Sequence, residues 1–278
     1  MNILMITPLY PPALGGAATY FKQIVPRVAE YDEVTQLTIL TEHMPGQPCV
    51  QMDGKIQLLR RLPNRISSGH KPFILHAATY ILTQMWFASK LQALVRQFST
   101  DVIHFHTRYR GPIFYSALRH TQVSIVADLR DKMTNPLQLQ STVSRLLCCG
   151  EGVYNFAVKS GFPVDHIVLI PNVFTPPECP SKAAIVDVQT HYGLAGTRYL
   201  LYVGDITFNK GVYELISAYR SWRVYHPEVP LILVGTNREG KNFLKQLHQA
   251  PGVLYLGYLP HQEVLTLMRG ADIVVLPS

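Results

Sequence analysis

Residues 202–219 read YVGDITFNKGVYELISAY and join an apolar strand directly to a helix. The strand ends at Gly204, a loop carries Lys210 and Gly211, and the apolar residues that follow are at helical spacing. Lys210 is therefore expected at a helix N-terminus, with its ammonium beside free backbone N–H groups, an arrangement suited to a diphosphate. For the pattern taken alone, a solvated lysine is an equal alternative.

The same alternation of strand and helix runs along nearly the whole chain. It is typical of parallel sheets built from βαβ units, and it predicts the α/β class. Strands are predicted over residues 2–7, 34–41, 56–62, 101–106, 123–130, 146–149, 166–172, 199–204, 231–235, 253–257 and 271–276. Helices are predicted over residues 17–30, 72–98, 111–120, 136–146, 151–160, 211–225, 239–249 and 261–270.

Residues 174–198 interrupt this alternation. Their first part, FTPPECPSKAA, is rich in proline and small polar residues, which is the composition of a linker between domains. We therefore expect two Rossmann-like domains, residues 1–174 and residues 199–278, joined by a linker over residues 175–198. The sequence stops directly after the strand predicted over residues 271–276, where the loops of open α/β sheets hold ligands, so we expect the second domain to be incomplete.

The amino-acid composition indicates what kind of protein this is and what kinds of partner suit it. Of the 278 residues, 47% are hydrophobic and 15% are charged, which indicates a globular protein with a large core. The net charge of +7 favours an anionic partner, either a nucleic acid, a phospholipid surface or a phosphorylated small molecule. Lysine and arginine are scattered and form no zinc-finger, basic-helix or aromatic–basic RNA motif, so we expect no nucleic-acid partner.

Cysteine usage and hydropathy indicate a cytoplasmic protein. The cysteines form no CxxC pair and no Cys/His metal spacing, and no signal peptide precedes the first strand. They are Cys49, Cys148, Cys149 and Cys179. No apolar run reaches the roughly 20 residues that span a bilayer. The nearest, residues 71–98, is either a core-facing amphipathic helix or a peripheral contact with the inner face of an anionic membrane.

Two strand ends in the first half carry candidate ligand contacts. Gly15-Gly16 lies between the first strand and the first helix, where backbone N–H groups can approach a phosphate or a sugar, although a tight turn is an alternative. The strand DVIHFH (101–106) contains His104 and His106. We interpret their rings as pointing to opposite faces, so that only His106 reaches the crevice at the strand end. A structural histidine is an equal alternative.

Two further stretches complete the candidate site. Arg130-Asp131 ends the strand in VADLRD, where it is suited to hydrogen-bonding a polyhydroxylated acceptor, or else forms a salt-bridged loop. Gly257-Tyr258-Leu259-Pro260 forms a turn before a helix. Backbone groups of such a turn can read the edge of a nucleobase while its apolar neighbours pack on the face, and an ordinary βα turn is the alternative.

Taken together, in this order and at these separations, these stretches resemble the GT-B glycosyltransferases of family 4, the retaining nucleotide-sugar transferases. The resemblance runs from residue 2 to the end. A strand of that family ends in D-x-x-H-x-H, which is matched by Asp101, His104 and His106. The resemblance implies that His106 lies near the donor sugar. The Gly-Gly loop and the acceptor-facing dipeptide of the family are matched by Gly15-Gly16 and Arg130-Asp131.

The second half resembles the nucleotide-binding domain of that family. Its YVGR…KG segment is matched by YVGDITFNKG, so the resemblance assigns the donor diphosphate to Lys210, with Gly211 beside it. His106 and Lys210 are accordingly expected as catalytic residues. The family's GYVP turn is matched by Gly257-Tyr258-Leu259-Pro260, which implies a position beside the nucleobase.

Three departures from the family are visible. Asp205 stands where the family has arginine, which reverses the local charge near the diphosphate. Pro171-Asn172-Val173 replaces the motif PNG. In the family a Glu-x7-Glu loop that binds donor sugar and ribose follows the last matched strand, and nothing follows Ser278 here. We therefore expect a chain that is truncated, binds donor weakly and turns over little.

The resemblance implies transfer of a sugar from a UDP-, GDP- or ADP-sugar to a hydroxyl acceptor, glycan or lipid-linked, with retained configuration, in polysaccharide or glycolipid synthesis. The sequence has no DxD triplet, so no metal and no cofactor other than the nucleotide-sugar co-substrate are expected. The alternatives are a non-catalytic GT-B-shaped binding or scaffold protein and a nucleotide-sugar epimerase. An NAD-dependent enzyme would need a GxGxxG motif after a strand, which this sequence lacks.

Overall fold

The computed structural model describes residues 1–13, 15–63, 73–172 and 176–277. The chain divides into two compact units, unit 1 over Met1–Pro176 and unit 2 over Pro177–Ser278. Each unit has its own predominantly parallel sheet with helices packed on it and its own core. The predicted fold class, α/β with two Rossmann-like domains, is confirmed.

Unit 1 is built on an eight-stranded sheet. Its strands are β1 (Asn2–Ile6), β2 (Gln36–Glu42), β3 (Val50–Asp53), β4 (Ile56–Leu62), β5 (Val102–His106), β6 (Ser124–Leu129), β7 (Arg145–Cys148) and β8 (Ile167–Leu169). In space they lie in the order β3-β4-β2-β1-β5-β6-β7-β8. All neighbours are parallel except β3 and β4. Strand β3 was not predicted: its alternation of Val50 and Met52 with Gln51 and Asp53 is only four residues long, and all four side chains are exposed.

Helices cover both faces of this sheet. They are α1 (Gly16–Glu30), α2 (Phe73–Gln97), α3 (Pro112–Arg119) and α4 (Glu151–Lys159). Helix α1 packs on one face through Phe21 and Val25, and the other three pack on the opposite face. This two-sided burial explains why the strands read as continuous apolar runs.

The helix predicted over residues 136–146 was wrong. Only Pro136–Leu139 is helical, as a single 3-10 turn. Leu139, Val143 and Leu146 are all buried in the same core, but from the turn, a loop and β7. Their spacing of four and then three residues imitates one face of a helix, so periodicity alone could not distinguish the two arrangements.

The strand order of unit 1 reverses between β1 and β5. Strands β2 and β4 extend the sheet on the side of β1, and β6, β7 and β8 extend it on the side of β5. In open α/β sheets, ligands bind at the carboxyl ends of the strands where the order reverses. The loops after β1 and β5 therefore border the first candidate crevice.

Unit 2 repeats this arrangement on a smaller scale. Its strands are β9 (Leu200–Val203), β10 (Leu231–Val234), β11 (Val253–Gly257) and β12 (Ile273–Val274), and its helices are α5 (Lys182–His191), α6 (Val212–Arg223), α7 (Lys241–His248) and α8 (His261–Gly270). The parallel sheet has the order β11-β10-β9-β12, so the reversal lies between β9 and β12. The last strand is shorter than predicted.

The segment predicted as a linker contains helix α5. The Oγ of Ser181 caps this helix by accepting the N–H of Ala184 at 3.1 Å, and α5 packs against α8. The contacts divide the chain between Pro176 and Pro177, near the start of the predicted linker. Across the described parts of the chain, no helix is both long enough and apolar enough to cross a bilayer.

Candidate functional site

The loop after β1 ends in a glycine that starts helix α1. Gly15 has φ = 134°, a conformation that favours glycine, and a Cβ there would lie 3.4 Å from Leu9 Cδ1. At Gly16, no atom of the described residues lies within 4 Å of a Cβ position. The first turn of α1 has no acidic residue and no side-chain cap. Its N–H groups are therefore available to an anion or a sugar hydroxyl.

The two histidines of β5 point to the same face of the sheet. The ring centroid of Phe21 in α1 lies 6.2 Å from the ring of His104 and 6.2 Å from that of His106. The interpretation that these rings face opposite sides was wrong, because residues two apart along a strand share a face. His106 is nevertheless the one at the carboxyl end of the strand, as expected.

His106 is held as a neutral ring. Its Nδ1 accepts the backbone N–H of Arg108 at 3.0 Å, which leaves the ring proton on Nε2. Burial lowers the pKa of His106 to about 4. At neutral pH this side chain can therefore donate a hydrogen bond through Nε2, and it does not serve as a base.

Arg130 is fixed by neighbours on three sides. Its Nε donates to Asp128 Oδ2 at 3.0 Å, its Nη1 donates to Asn172 Oδ1, and its guanidinium carbon lies 3.2 Å from the centroid of the Tyr20 ring. Arg130 therefore forms a salt bridge, as in the alternative to an acceptor contact, but its partner is Asp128 and not the adjacent Asp131. The exposed Asp131 instead accepts the backbone N–H of Met133 at 2.9 Å.

Asp128 is the site residue of unit 1 that sequence reasoning missed. It lies in β6, it is only 1% exposed, and its Oδ2 also lies 3.7 Å from His104 Nε2. Burial alone would raise the pKa of Asp128, but the neighbouring His104 and Arg130 together lower it below its usual value. The carboxylate is therefore charged, and it orients Arg130. The sequence does contain a signal for this pair: Asp128 lies two positions before Arg130, and residues two apart along an extended strand share a face.

In unit 2 the expected phosphate contact lies at the reversal of strand order. Residues Phe208–Lys210 form a 3-10 turn, Gly211 follows with φ = 66°, and α6 begins at Val212. A Cβ at Gly211 would lie 3.1 Å from Pro277 Cβ, so the loops after β9 and β12 are in contact. Lys210 is exposed at the start of α6, as predicted.

The loop that carries Lys210 is held by the loop after β10. The backbone N–H of Ile206 donates to Thr236 O at 2.9 Å, and that of Arg238 donates back to Ile206 O at 3.0 Å. Asp205 Oδ2 lies 3.3 Å from Arg238 Nε, and both side chains are about half exposed. The carboxylate that replaces the family's arginine thus has a cationic partner. Arg238 was also missed, because no local pattern pairs it with Asp205.

The predicted nucleobase turn follows β11, at the same edge of the sheet. Gly257 has φ = 76°, and Tyr258 is 56% exposed. Leu259 is buried in the core of unit 2, whereas Pro260 is exposed and directly precedes α8. Strand β10 separates β11 from β9, which places the turn about 10 Å from the Lys210 loop. Of the side chains in this turn, Tyr258 and Pro260 can meet a ligand, and Leu259 anchors the turn.

Two further expectations concern a metal site and the motif that replaces PNG. Within residues 1–13, 15–63, 73–172 and 176–277, no group of three or more His, Cys, Asp or Glu side chains is arranged to hold a metal ion. Val173, the residue that replaces the glycine of the family's PNG motif, lies outside the described residues, as does Ser278.

Comparison with known proteins identifies the second part of the chain most directly. Residues 192–278 match the family model described as glycosyl transferases group 1. The glycogen synthase of Mycobacterium tuberculosis (strain CDC 1551 / Oshkosh) is 34% identical over 86 residues, which are 30% of this chain and 21% of the synthase. The matched segment therefore spans about a fifth of the length of that curated relative.

Solved structures extend the similarity to the whole chain. HepE of Anabaena in complex with UDP and glucose superposes with a TM-score of 0.70 at 16% identity, over 99% of this chain and 74% of HepE. The UDP-GlcNAc 2-epimerase of Neisseria meningitidis bound to UDP-GlcNAc superposes with a TM-score of 0.60 at 10% identity, over 99% of this chain and 77% of the epimerase. At these identities the superpositions establish the fold, which is that of the GT-B glycosyltransferases.

Proposed function

We propose that this protein transfers a sugar from a nucleoside diphosphate sugar to a hydroxyl acceptor with retention of configuration, as expected of family 4. The observation that carries the proposal is the position of Lys210. This exposed lysine ends the 3-10 turn directly before α6, at the reversal of strand order and within the segment that matches the group 1 model. In this proposal residues 199–278 bind the donor, residues 1–174 bind the acceptor, and residues 175–198 connect them.

Sugar transfer needs the charge that develops on the departing diphosphate to be neutralised. In the proposal, the ammonium of Lys210 and the first N–H groups of α6 neutralise this charge, although the first turn of α6 also carries Glu214, and the positive φ of Gly211 lets the backbone turn there. Arg238 adds a second cation on the adjoining loop, with Asp205 holding its Nε. No metal ion is needed for this step in the proposal.

His106 has the properties of a positioning donor. With Nδ1 occupied by the Arg108 N–H and a pKa of about 4, it presents Nε2–H to a sugar hydroxyl or ring substituent. It would orient the donor sugar. The acceptor proton would pass to the leaving diphosphate oxygen, which fits a retaining transfer without a protein nucleophile.

The other proposed ligand contacts come from loops at the carboxyl ends of the strands in each unit. Gly15-Gly16 and the free N–H groups of α1 would contact donor phosphate or sugar, and Arg130-Asp131 would border the acceptor. The turn Gly257-Tyr258-Leu259-Pro260 would lie beside the nucleobase, with the exposed ring of Tyr258 available for stacking. UDP is the first nucleotide to test, because HepE was solved with UDP and glucose.

Peripheral contact with an anionic membrane is part of the same proposal. Residues 54–100 contain seven Lys and Arg and no Asp or Glu. The first half of α2 exposes an apolar stripe opposite its buried side, formed by Leu75, Ile81, Leu82 and Met85. Basic segments with an exposed apolar face bind anionic bilayers. Sedimentation with phosphatidylglycerol vesicles tests the contact, and Leu82→Ser/Met85→Ser is expected to reduce it while phosphatidylcholine vesicles bind neither protein.

The donor proposal is tested by calorimetry with UDP, GDP and ADP and their glucose conjugates. We expect one nucleoside diphosphate to bind weakly, and incubation with its sugar conjugate to give only a little glycoside, which keeps the anomeric configuration; robust transfer would contradict the expected low turnover. Absence of binding to all three would overturn the proposal. Binding without any product would favour the non-catalytic alternative, and a nucleotide sugar epimerised without transfer would favour an epimerase.

A further inference from the structure

Arg60 is a buried arginine near the carboxyl end of β4. It is only 3% exposed, and among the described residues no carboxylate forms an ion pair with its guanidinium. The residues outside the described ranges include no Asp or Glu. Removing a charge from water is costly unless polar groups compensate for it. The compensation for Arg60 must therefore come from the neutral groups that its guanidinium contacts.

The guanidinium of Arg60 joins three segments of unit 1. Its Nη2 donates to Pro11 O at 2.8 Å, in the loop after β1. Its Nη1 donates to Pro48 O at 3.3 Å, before β3, and to Gln51 Oε1 at 3.4 Å, in β3. Hydrogen bonds from an ionised donor are stronger than those between neutral groups. The contact with Pro11 is the shortest of the three, so the loop after β1 is the segment that Arg60 holds most firmly.

The loop after β1 has few other hydrogen bonds to the rest of the unit. Its first residue, Thr7, is tied to β2 by a backbone hydrogen bond. Along residues 8–13 the other hydrogen bonds stay within the loop, such as that from the Ala13 N–H to Tyr10 O at 3.1 Å. Among the residues that the structure describes, Arg60 is the one outside the loop that hydrogen-bonds to this part of it.

Arg60 lies on the face of the sheet that α1 covers. Residues two apart along a strand share a face, so Arg60 is on the side of Leu58, which is buried together with Phe21 of α1. The loop that Arg60 contacts leads directly to Gly15-Gly16, where α1 begins. The position of this loop therefore determines where the first N–H groups of α1 lie.

We propose that Arg60 is a positioning residue of the donor site, which holds the loop after β1 so that Gly15-Gly16 and the first N–H groups of α1 are presented to the sugar end of the donor. The donor role rests on the proposed function, which gives the diphosphate to Lys210 and the sugar to His106; the contact with the loop rests on the geometry of unit 1. A loop that is already ordered loses less conformational entropy when a ligand binds. Arg60 thus strengthens binding of the sugar without touching it.

Backbone amide NMR of the full chain without ligand tests the contact between Arg60 and the loop. Arg60→Met should shift the signals of residues 9–13 and 15–19, because a neutral thioether cannot donate to the Pro11 carbonyl. Arg61→Met is the matched control, since Arg61 is the next residue of β4 and is exposed, and it should leave these signals unchanged. If Arg60→Met does not fold, Arg60→Lys gives the same comparison, because it keeps the charge and lacks the planar fork of donors.

Titrations followed by the same spectra test the donor role. The wild type is titrated with UDP, GDP and ADP, and the nucleotide that binds is compared with its glucose conjugate in each protein. Arg60→Met should bind the nucleotide as the wild type does and the glucose conjugate about three- to tenfold more weakly, because binding must then order the loop. A role in stability alone would lower the melting temperature and leave the ratio of the two affinities unchanged.

The outcomes separate this inference from the proposed function. Unchanged loop signals in Arg60→Met, or equal changes in Arg61→Met, would overturn the contact with the loop. Equal weakening of the nucleotide and its conjugate in Arg60→Met, or no weakening of either, would overturn the assignment to the sugar end of the donor. Absence of binding to all three nucleotides would contradict the donor proposal and with it the donor role of Arg60. The spectra without ligand would then still decide whether Arg60 holds the loop.

Discussion

Asp205 and Arg238 form an ion pair, with Oδ2 3.3 Å from Nε, between the two loops that follow β9 and β10 at the carboxyl edge of unit 2. By the resemblance to family 4, an arginine is expected at position 205. This chain has a carboxylate there, and a guanidinium comes from the next loop instead. Arg238 therefore supplies a positive charge at this edge of the sheet, although position 205 itself carries a negative charge.

The pair predicts opposite effects for its two members. Arg238→Gln leaves the Asp205 carboxylate uncompensated near the proposed diphosphate, and we expect UDP to bind about three- to tenfold more weakly. Asp205→Asn removes the repulsive charge and frees Arg238, so affinity should stay equal or rise. Calorimetry with UDP at low ionic strength measures both. If Asp205→Asn weakened UDP binding as much as Arg238→Gln, the carboxylate itself would be a ligand contact.

Lys210 is expected to contribute to nucleotide binding without contributing to stability. Its side chain is exposed, so Lys210→Ala should leave the melting temperature unchanged while UDP affinity falls about five- to twentyfold. Lys182→Ala is the matched control, because Lys182 is an exposed lysine at the N-terminal end of another helix in unit 2, α5. Equal affinity of the Lys210→Ala and Lys182→Ala proteins for UDP would remove the observation on which the proposed function depends.

Sequence patterns alone were sufficient to predict the features that depend on residues close to one another in the sequence. The strand, loop and helix of residues 202–219 place Lys210 at the start of α6, and the alternation of elements along the chain gives the α/β class. The edge on which the loops lie follows from parallel strands alone. None of these inferences requires knowledge of which strands become neighbours.

The remaining features depend on contacts between distant parts of the chain. Arg238 lies 33 residues from Asp205 and meets it only because β9 and β10 are paired. Leu259 is buried because the turn after β11 folds onto the core, which its sequence does not show. The error over His104 and His106 has a different origin. The alternation of strand side chains already places residues two apart on one face, and that rule was misapplied.

The depressed pKa of His106 predicts a specific dependence of stability on pH. Its pKa of about 4 in the folded protein lies below the ordinary value of 6.5, so acid protonates the unfolded chain first. His106 should have no effect on stability above pH 6.5 and should destabilise the fold progressively as the pH falls from 6.5 to 4. The full effect is about 3 kcal/mol.

Chemical denaturation of the wild type and of His106→Gln, measured at pH 7 and pH 4.5, isolates this effect from other titrating groups. The wild type should lose more free energy of unfolding than the variant over this range. A parallel loss in the two proteins would show that His106 is not held neutral. Donor binding should not change between pH 6 and 8, because His106 remains neutral throughout.

Gly235 is expected to be indispensable to the edge that presents Lys210. It follows β10 with φ = 145°, and a Cβ at this position would overlap the carbonyl oxygen of Gly204, with the carbonyl carbon at 2.6 Å. Both atoms are backbone, so no flexible side chain can move aside. Gly240 provides the control, because it also has a positive φ, of 63°, but within the part of the chain that the structure describes no atom lies within 4 Å of its Cβ position.

Gly240→Ala should therefore cost about 1 kcal/mol from backbone conformation alone. Gly235→Ala should cost at least about 2 kcal/mol more, since it must also separate the loops after β9 and β10. Urea unfolding gives both values. UDP affinity should fall in Gly235→Ala and not in Gly240→Ala, because only the former displaces the backbone next to Asp205 and so the loop that leads to Lys210. Similar unfolding free energies for the two variants would contradict the close approach of Gly235 to the Gly204 carbonyl.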